Sequence, residues 1–255
     1  MPLNPLHQFE VTPILPLMVG HWDLSITNQA LWTGIAVSAV IAIFMAGISR
    51  MTMVPGRLQA FVEITFEFIQ KLTHKTAGHE AMAFFPLILT TFLFIACLNL
   101  IGMIPHGFTA TSQITTTAYM GAMVFLLVVG VGVYKQGLHF FGMFLPHGTP
   151  WWLVPIMVPL EIVSFLVRPA TLAIRLCANM VAGHVLMKVF AGFCIMLLGL
   201  TLDGGGHLSW MAPTAVLPLA VLVGVTALEI FVALLQAYIF TVLTCVYLNI
   251  SIRGH

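Results

Sequence analysis

Glu161, Arg168 and Arg175 recur at intervals of seven within a stretch of sequence that is otherwise almost wholly apolar. Seven residues is close to two helical turns, so the three share a face, and Ser164, Thr171 and Asn179, at offsets of three or four, extend it. A second apolar stretch carries Glu229 and Gln236, again seven apart, with Thr226 three residues before Glu229. His184 and Lys188 prolong the first stretch beyond Arg175. A carboxyl group and an imidazole in low-dielectric surroundings have pKa values movable by several units, which is what a relay passing protons near neutrality requires. A polar stripe through an apolar helix either lines a pathway or faces a partner, so the chemistry to expect is ion or proton transfer.

Each of these residues also has a plainer reading. Arg168, beside Pro169, can snorkel or anchor its helix. Arg175 and Glu229 can belong to a structural ion pair, His184 can be a satisfied packing histidine, and Asn179 and Gln236 can be interhelical hydrogen-bonding groups. Lys188 reads better as an interfacial residue than as a relay. Shared faces favour the joint reading, as does the cost of an arginine at a bilayer centre, about 2.5–3.5 kcal/mol on insertion scales. His74, His79, His139 and His147 fall between apolar runs without metal-ligand spacing and are expected to be solvated or interfacial, so no metal site is expected.

The elements that must hold these groups are membrane helices. Hydrophobic residues make up 60% of the 255 positions, charged residues 7%, and the mean hydropathy is +1.06. That much apolar surface needs the bilayer as solvent. The formal net charge of +1 comes with no basic or acidic block, which argues against a nucleic-acid partner. Cys97, Cys177, Cys194 and Cys245 lie in apolar runs without CxxC spacing and read as small packing residues. The amino end shows neither a secretory signal nor an Arg-rich transit peptide, so insertion where the chain is made is expected. GxxxxGK[ST] is absent, so no nucleotide is expected to bind.

Since a spanning helix takes about 20 apolar residues, spans are expected near 31–49, 83–104 and 117–134. The stretches 151–200 and 208–250 are roughly twice the ~30 Å hydrocarbon thickness if helical throughout, so each must be broken or strongly tilted. Pro155, Pro159 and Pro169 crowd the first, Pro213 and Pro218 the second. No polar loop divides either, which favours two long tilted helices in a hairpin, turning at Asp203–His207 with its run of glycines. Over 57–72, Leu58, Phe61, Ile64, Phe68 and Leu72 recur at helical spacing while Gln59, Glu63, Glu67 and Lys71 take another face, predicting an amphipathic helix along the membrane surface. Arg50, Arg57, Lys71 and Lys75 follow the first span, Lys135 the third and Arg253 the last, whereas the segments around Glu10 and Asp23, His106 and Asp203 carry no Lys or Arg. Five spans with the amino end outside and the carboxyl end inside satisfy every loop. The expectation is an all-α integral membrane protein, one domain over 1–255.

The segment LAIRLCANMVAGH, Leu172 to His184, closely resembles the signature of subunit a of F-type ATP synthases, Leu-x-x-Arg-Leu-x-x-Asn-Met-x-(Ala/Ser)-Gly-(Glu/His). The opening NPLHQFEV, Asn4 to Val11, is similar to that family's amino end, and Leu228 to Ile250 to its last helix. The resemblance implies a stator subunit facing a rotating ring of c subunits, with two offset aqueous half-channels that each reach part-way across the membrane. Arg175 then matches the essential arginine between the half-channels, where a fixed cation attracts each deprotonated c-subunit carboxylate and blocks a direct proton hop. Asn179, His184, Glu229 and Gln236 match polar positions near that arginine and along the outer half-channel, and Glu161 a carboxylate at the inner one. Other members place a carboxylate at the position of His184 and an imidazole at that of Glu229; the exchanged order here resembles mitochondrial and related bacterial members. During synthesis a proton would pass His184 and Glu229 to the ring and leave past Arg175 near Glu161. The partners implied are the c-subunit ring, a peripheral stalk of b subunits, the lipid bilayer and protons, with no cofactor, in a bacterial or mitochondrial inner membrane. The subunit would be non-catalytic, ATP chemistry taking place elsewhere in the complex.

Two other classes compete. A secondary ion transporter or antiporter also has paired intramembrane charges, but predicts internal repeats, and none is evident between the halves. A quinone or haem redox subunit needs paired histidines on facing spans, and only His184 lies well inside an apolar run.

Overall fold

The computed structural model describes residues 9–16, 18–19, 22–23, 25–49, 52–104, 107–137, 142, 152–203 and 216–253. Arg50, His106, His139, His147, Trp151, Pro213, residues 204–215 and most of the Asn4–Val11 motif lie outside them. The described chain is a bundle of helices α1 (Asn28–Ile48), α2 (Arg57–Ala77), α3 (Phe85–Gly102), α4 (Ile114–Gln136), α5 (Val154–Asp203) and α6 (Val216–Arg253). Among the described residues, all of these except α2 are long and apolar enough to cross a membrane.

Local chemistry sets several helix ends. Thr27 caps α1, its side chain accepting from the Ala30 amide at 3.3 Å. Pro86 lies in the first turn of α3, where a missing N–H costs nothing. Gly78 and Gly137, with φ of 81° and 58°, follow the last residues of α2 and α4 in a backbone region that side chains disfavour. Helix α5 runs unbroken through Pro159 and Pro169 for 50 residues, about 75 Å at 1.5 Å per residue, and α6 for 38. Neither fits upright within ~30 Å of hydrocarbon. Asp203, expected in the turn, is the last helical residue of α5.

In the amino-terminal segment β1 (Pro13–Leu15) pairs antiparallel with β4 (Ile26–Thr27), and β2 (Met18–Val19) with β3 (Trp22–Asp23). Helix α2 turns Gln59, Val62, Ile69, Thr73 and Ala77 into the bundle, while Leu58, Phe61, Ile64 and Phe68 are exposed. Gln59 is buried on the same polar face as Glu63, donating to the Thr52 carbonyl at 3.2 Å and to Glu63 Oε1 at 2.7 Å. The helix has two adjacent apolar stripes, and periodicity alone does not say which one meets the rest of the chain.

The central core is built from four helices. Ile95 and Ala96 of α3, Val124 and Val128 of α4, Leu172 and Leu176 of α5, and Ala237 and Phe240 of α6 form one buried cluster. A second, formed by Ile69 and Ala77 of α2, Phe85 and Ile88 of α3, and Cys245, Leu248 and Ile252 of α6, holds the carboxyl end of α6. Small residues allow close approach: a Cβ on Gly121 of α4 would stand 3.1 Å from the Pro169 carbonyl of α5. All four cysteines are free thiols, with Cys177 donating to the Ser112 carbonyl at 2.9 Å.

Candidate proton-transfer site

Helices α5 and α6 run antiparallel, so residues late in one meet residues early in the other. Met187 meets Thr226, His184 meets Glu229, and Asn179 meets Gln236. The seven-residue spacings on the two arms are therefore brought into register as facing pairs.

In the middle pair, His184 and Glu229 have only 8% and 3% of their surfaces exposed. His184 Nε2 lies 3.8 Å from Glu229 Oε1 and 2.8 Å from Thr109 Oγ1. Neither Glu229 oxygen has a hydrogen-bond partner among the described residues. A buried carboxyl group without a hydrogen-bond partner is expensive to bury. Gly183 makes room for it: a Cβ there would sit 2.6 Å from Glu229 Oε1 and 3.2 Å from Cγ. One turn deeper, Asn179 Nδ2 donates to Gln236 Oε1 at 3.4 Å, and Gln236 is buried.

A cavity of about 830 Å³ opens beside this pair. Glu10, Asn28, Gly102, His184, Lys188 and Thr226 are among its walls. The segment carrying Glu10 is tied down by Asn28, whose side chain donates to the Glu10 carbonyl at 3.1 Å, and by Gln113, which donates to the Phe9 carbonyl at 2.6 Å. Phe9 packs edge-on to the His184 ring, with ring centres 6.3 Å apart. Lys188, read from sequence as interfacial, is exposed and lines the cavity.

Arg175 does not join the buried pairs. It lies on an exposed face of α5, about 14 Å along the helix from His184 by the 1.5 Å rise. No carboxylate pairs with it among the described residues, although it is within electrostatic reach of Tyr247. Two turns away, Arg168 Nη2 approaches Glu161 Oε1 at 3.7 Å and its guanidinium lies 6.0 Å from the Tyr247 ring centre. Thr171 turns its hydroxyl back to the Arg168 carbonyl at 2.9 Å and takes no part in either group. The polar residues seen in sequence are thus divided into a buried histidine–glutamate pair, an exposed arginine, and a half-buried ion pair beyond it.

Sequence reasoning missed Thr109, Gln113, Gly183 and Asn99, whose side chain donates to the Ala233 carbonyl of α6 at 3.1 Å. Asn99 carried a signal, being a lone amide in an apolar span, and the hydroxyl-rich run Thr109–Thr117 was another. Among the described residues no group of three or more His, Cys, Asp and Glu side chains is placed to hold a metal.

Residues 30–249 match the family described as ATP synthase A chain. The whole chain is 46% identical to the ATP synthase subunit a of Bradyrhizobium diazoefficiens, over all of both chains. It is 42% identical to that of Rhodospirillum rubrum over 99% of each, and 46% identical to that of Hyphomonas neptunium over 99% of this chain and 97% of the other. The all-α membrane bundle, its paired polar residues and these full-length similarities agree: this chain belongs to the ATP synthase A chain family.

Proposed function

We propose that this chain, as one membrane domain, is the proton-translocating stator subunit of an ATP synthase, loading and unloading protons on the carboxylates of a c-subunit ring. The observation that carries the reading is the buried His184–Glu229 pair, whose His184 lines a cavity bordered also by Glu10, Asn28, Lys188 and Thr226, with Arg175 separate from it on an exposed face. An exposed guanidinium on a membrane helix needs an anionic or aqueous counterpart outside the chain. A ring carboxylate passing that face meets the need, and the small side chains Ala178 and Ala182 beside Arg175 leave room for a second helix to approach.

In this mechanism a proton enters the outer cavity, passes His184 to Glu229, and is handed to a ring carboxylate, with Asn179 and Gln236 bordering the transfer. After a turn of the ring the carboxyl group gives up its proton on the inner side near Glu161, and Arg175 pairs with the carboxylate as it returns. Arg175 raises the barrier to a proton crossing directly, so flow is forced through rotation. The chain is non-catalytic, lies in a bacterial or mitochondrial inner membrane, and is held by a peripheral stalk of b subunits. An outside amino end is supported by the gathering of Lys75, Lys135 and the end of α6 at the face opposite Glu10, through Asn249 to Thr76 at 3.1 Å and Gln136 to Ser251 at 2.8 Å.

The test compares ATP-driven proton pumping and passive proton leak for wild type and Arg175→Ala, each with its c ring and catalytic head in liposomes. Pumping should be lost with leak kept or increased. Normal pumping by Arg175→Ala would remove the separator role.

A further inference from the structure

We propose that Thr109 is a positioning residue for proton transfer, its hydroxyl holding His184 with the ring hydrogen on Nε2, the nitrogen that faces Glu229. The inference rests on the reading of His184 and Glu229 as proton carriers.

The argument starts at the end of α3. Gly102 is the last residue of that helix, where carbonyls lose their intrahelical donors. The Thr109 hydroxyl supplies one, donating to the Gly102 carbonyl at 3.1 Å. A hydroxyl has one hydrogen and two lone pairs. With its hydrogen given to Gly102, Thr109 Oγ1 can only accept from His184 Nε2, 2.8 Å away. This network places the hydrogen of the neutral ring on Nε2.

The hydroxyl is fixed in place by its surroundings. Thr109 precedes a 3-10 turn, Ala110–Ser112, and its carbonyl accepts from the Ser112 amide at 3.0 Å and the Ser112 hydroxyl at 2.6 Å. Cys177 of α5 ties the same turn down through the Ser112 carbonyl. Gly102 carries no side chain where one would collide, since a Cβ there would lie 2.7 Å from Thr109 Cγ2. Thr109 is 4% exposed, so water does not substitute freely for its hydroxyl.

The consequence is directional. A proton from the outer cavity adds to the bare Nδ1 and gives the imidazolium. The Nε2–H then leaves Thr109 as Glu229, whose Oε1 lies 3.8 Å away, closes to hydrogen-bond distance; the N–H bond breaks as an O–H bond forms on Glu229, and a neutral ring is left with its hydrogen on Nδ1. In that form Nε2 and Thr109 Oγ1 face each other with lone pairs unless the hydroxyl abandons Gly102. Loss of one hydrogen bond favours return to the Nε2–H form by about tenfold, by exchange with water of the cavity. The charged groups facing His184 are Lys188 on its own helix, Glu229 on α6 and Glu10 of the amino-terminal segment. Thr109 is uncharged, so replacing it leaves that set of charges unaltered.

The experiment uses the whole complex in liposomes, with assembled subunit quantified, and measures ATP-driven pumping as a function of the pH on the side of the outer cavity. Thr109→Val, similar in shape but without the hydroxyl, should lower the rate about tenfold and displace the pH profile. Thr109→Ser, which keeps the hydroxyl, should recover the profile and most of the rate. A Val variant with wild-type rate and profile overturns the proposal, and so does a Ser variant as impaired as the Val one. Should Thr109→Val fail to assemble, nitrogen-15 spectroscopy of the wild-type complex decides. The neutral His184 ring, assigned by its disappearance in His184→Gln, should carry its hydrogen on Nε2, and a hydrogen on Nδ1 refutes the assignment. Glu229→Gln and Arg175→Ala serve as references. If they too pump like wild type, the reading of the site has failed; if they are inactive while Thr109→Val behaves like wild type, only the role of Thr109 has.

Discussion

Replacing Gly183 by alanine should separate the geometry of the His184–Glu229 pair from the stability of the bundle. The added Cβ would stand 2.6 Å from Glu229 Oε1, 2.7 Å from Cδ and 3.2 Å from Cγ. Carbon and oxygen ordinarily approach no closer than about 3.3 Å, so the carboxyl group must shift by roughly 0.7 Å, and the contact with Cγ means a change of rotamer. Glu229 is buried, so that change meets packed neighbours. A misplacement near 1 Å costs on the order of 10²-fold in rate where reacting groups are pre-positioned, and a displacement of this size should lower proton pumping by about 10- to 100-fold. Alanine is a better helix former than glycine by about 1 kcal/mol in a helix interior, so the helix itself should not weaken. The assay is ATP-driven pumping in liposomes beside the amount of subunit in the assembled complex. Normal assembly with pumping within twofold of wild type would show that Glu229 does not need its present position, and the reasoning from the His184–Glu229 contact would fall.

Two further changes probe the scaffold. Leu176→Ala, at a fully buried position where α3, α4, α5 and α6 meet, should destabilise the detergent-solubilised complex by about 2 kcal/mol. That is the lower end of the range for buried leucines, because packing is lost while the lipid reference state lacks the hydrophobic transfer term; an unchanged thermal midpoint would contradict the packing described. Lys135→Ala removes an exposed pair with Glu80, 3.3 Å apart, and should alter stability by no more than about 0.5 kcal/mol and pumping not at all. A large effect in either would mean that this end of α4 does more than anchor the bundle.

What the sequence determined on its own is what depends on local spacing and on the solvent. Long apolar runs read as membrane helices, because lipid admits only helices and closed barrels and a run of about 20 apolar residues suits a spanning helix rather than a strand of about 10. The seven-residue repeats of Glu161, Arg168, Arg175, Glu229 and Gln236 placed those residues on shared faces, and LAIRLCANMVAGH carried the family resemblance. Which face looks inward was not legible, since a helix with polar groups on one side is compatible with either orientation until its neighbours are known. Packing decided that Arg175 is exposed while His184 and Glu229 are buried, and that Gln59 of α2 turns inward. The partners of His184 also lay beyond sequence reading: Thr109 is 75 residues away from it, and Phe9 farther still. Such contacts arise only when the turn after α3 and the amino-terminal segment fold back onto α5, and no periodicity within one helix encodes where another segment comes to rest.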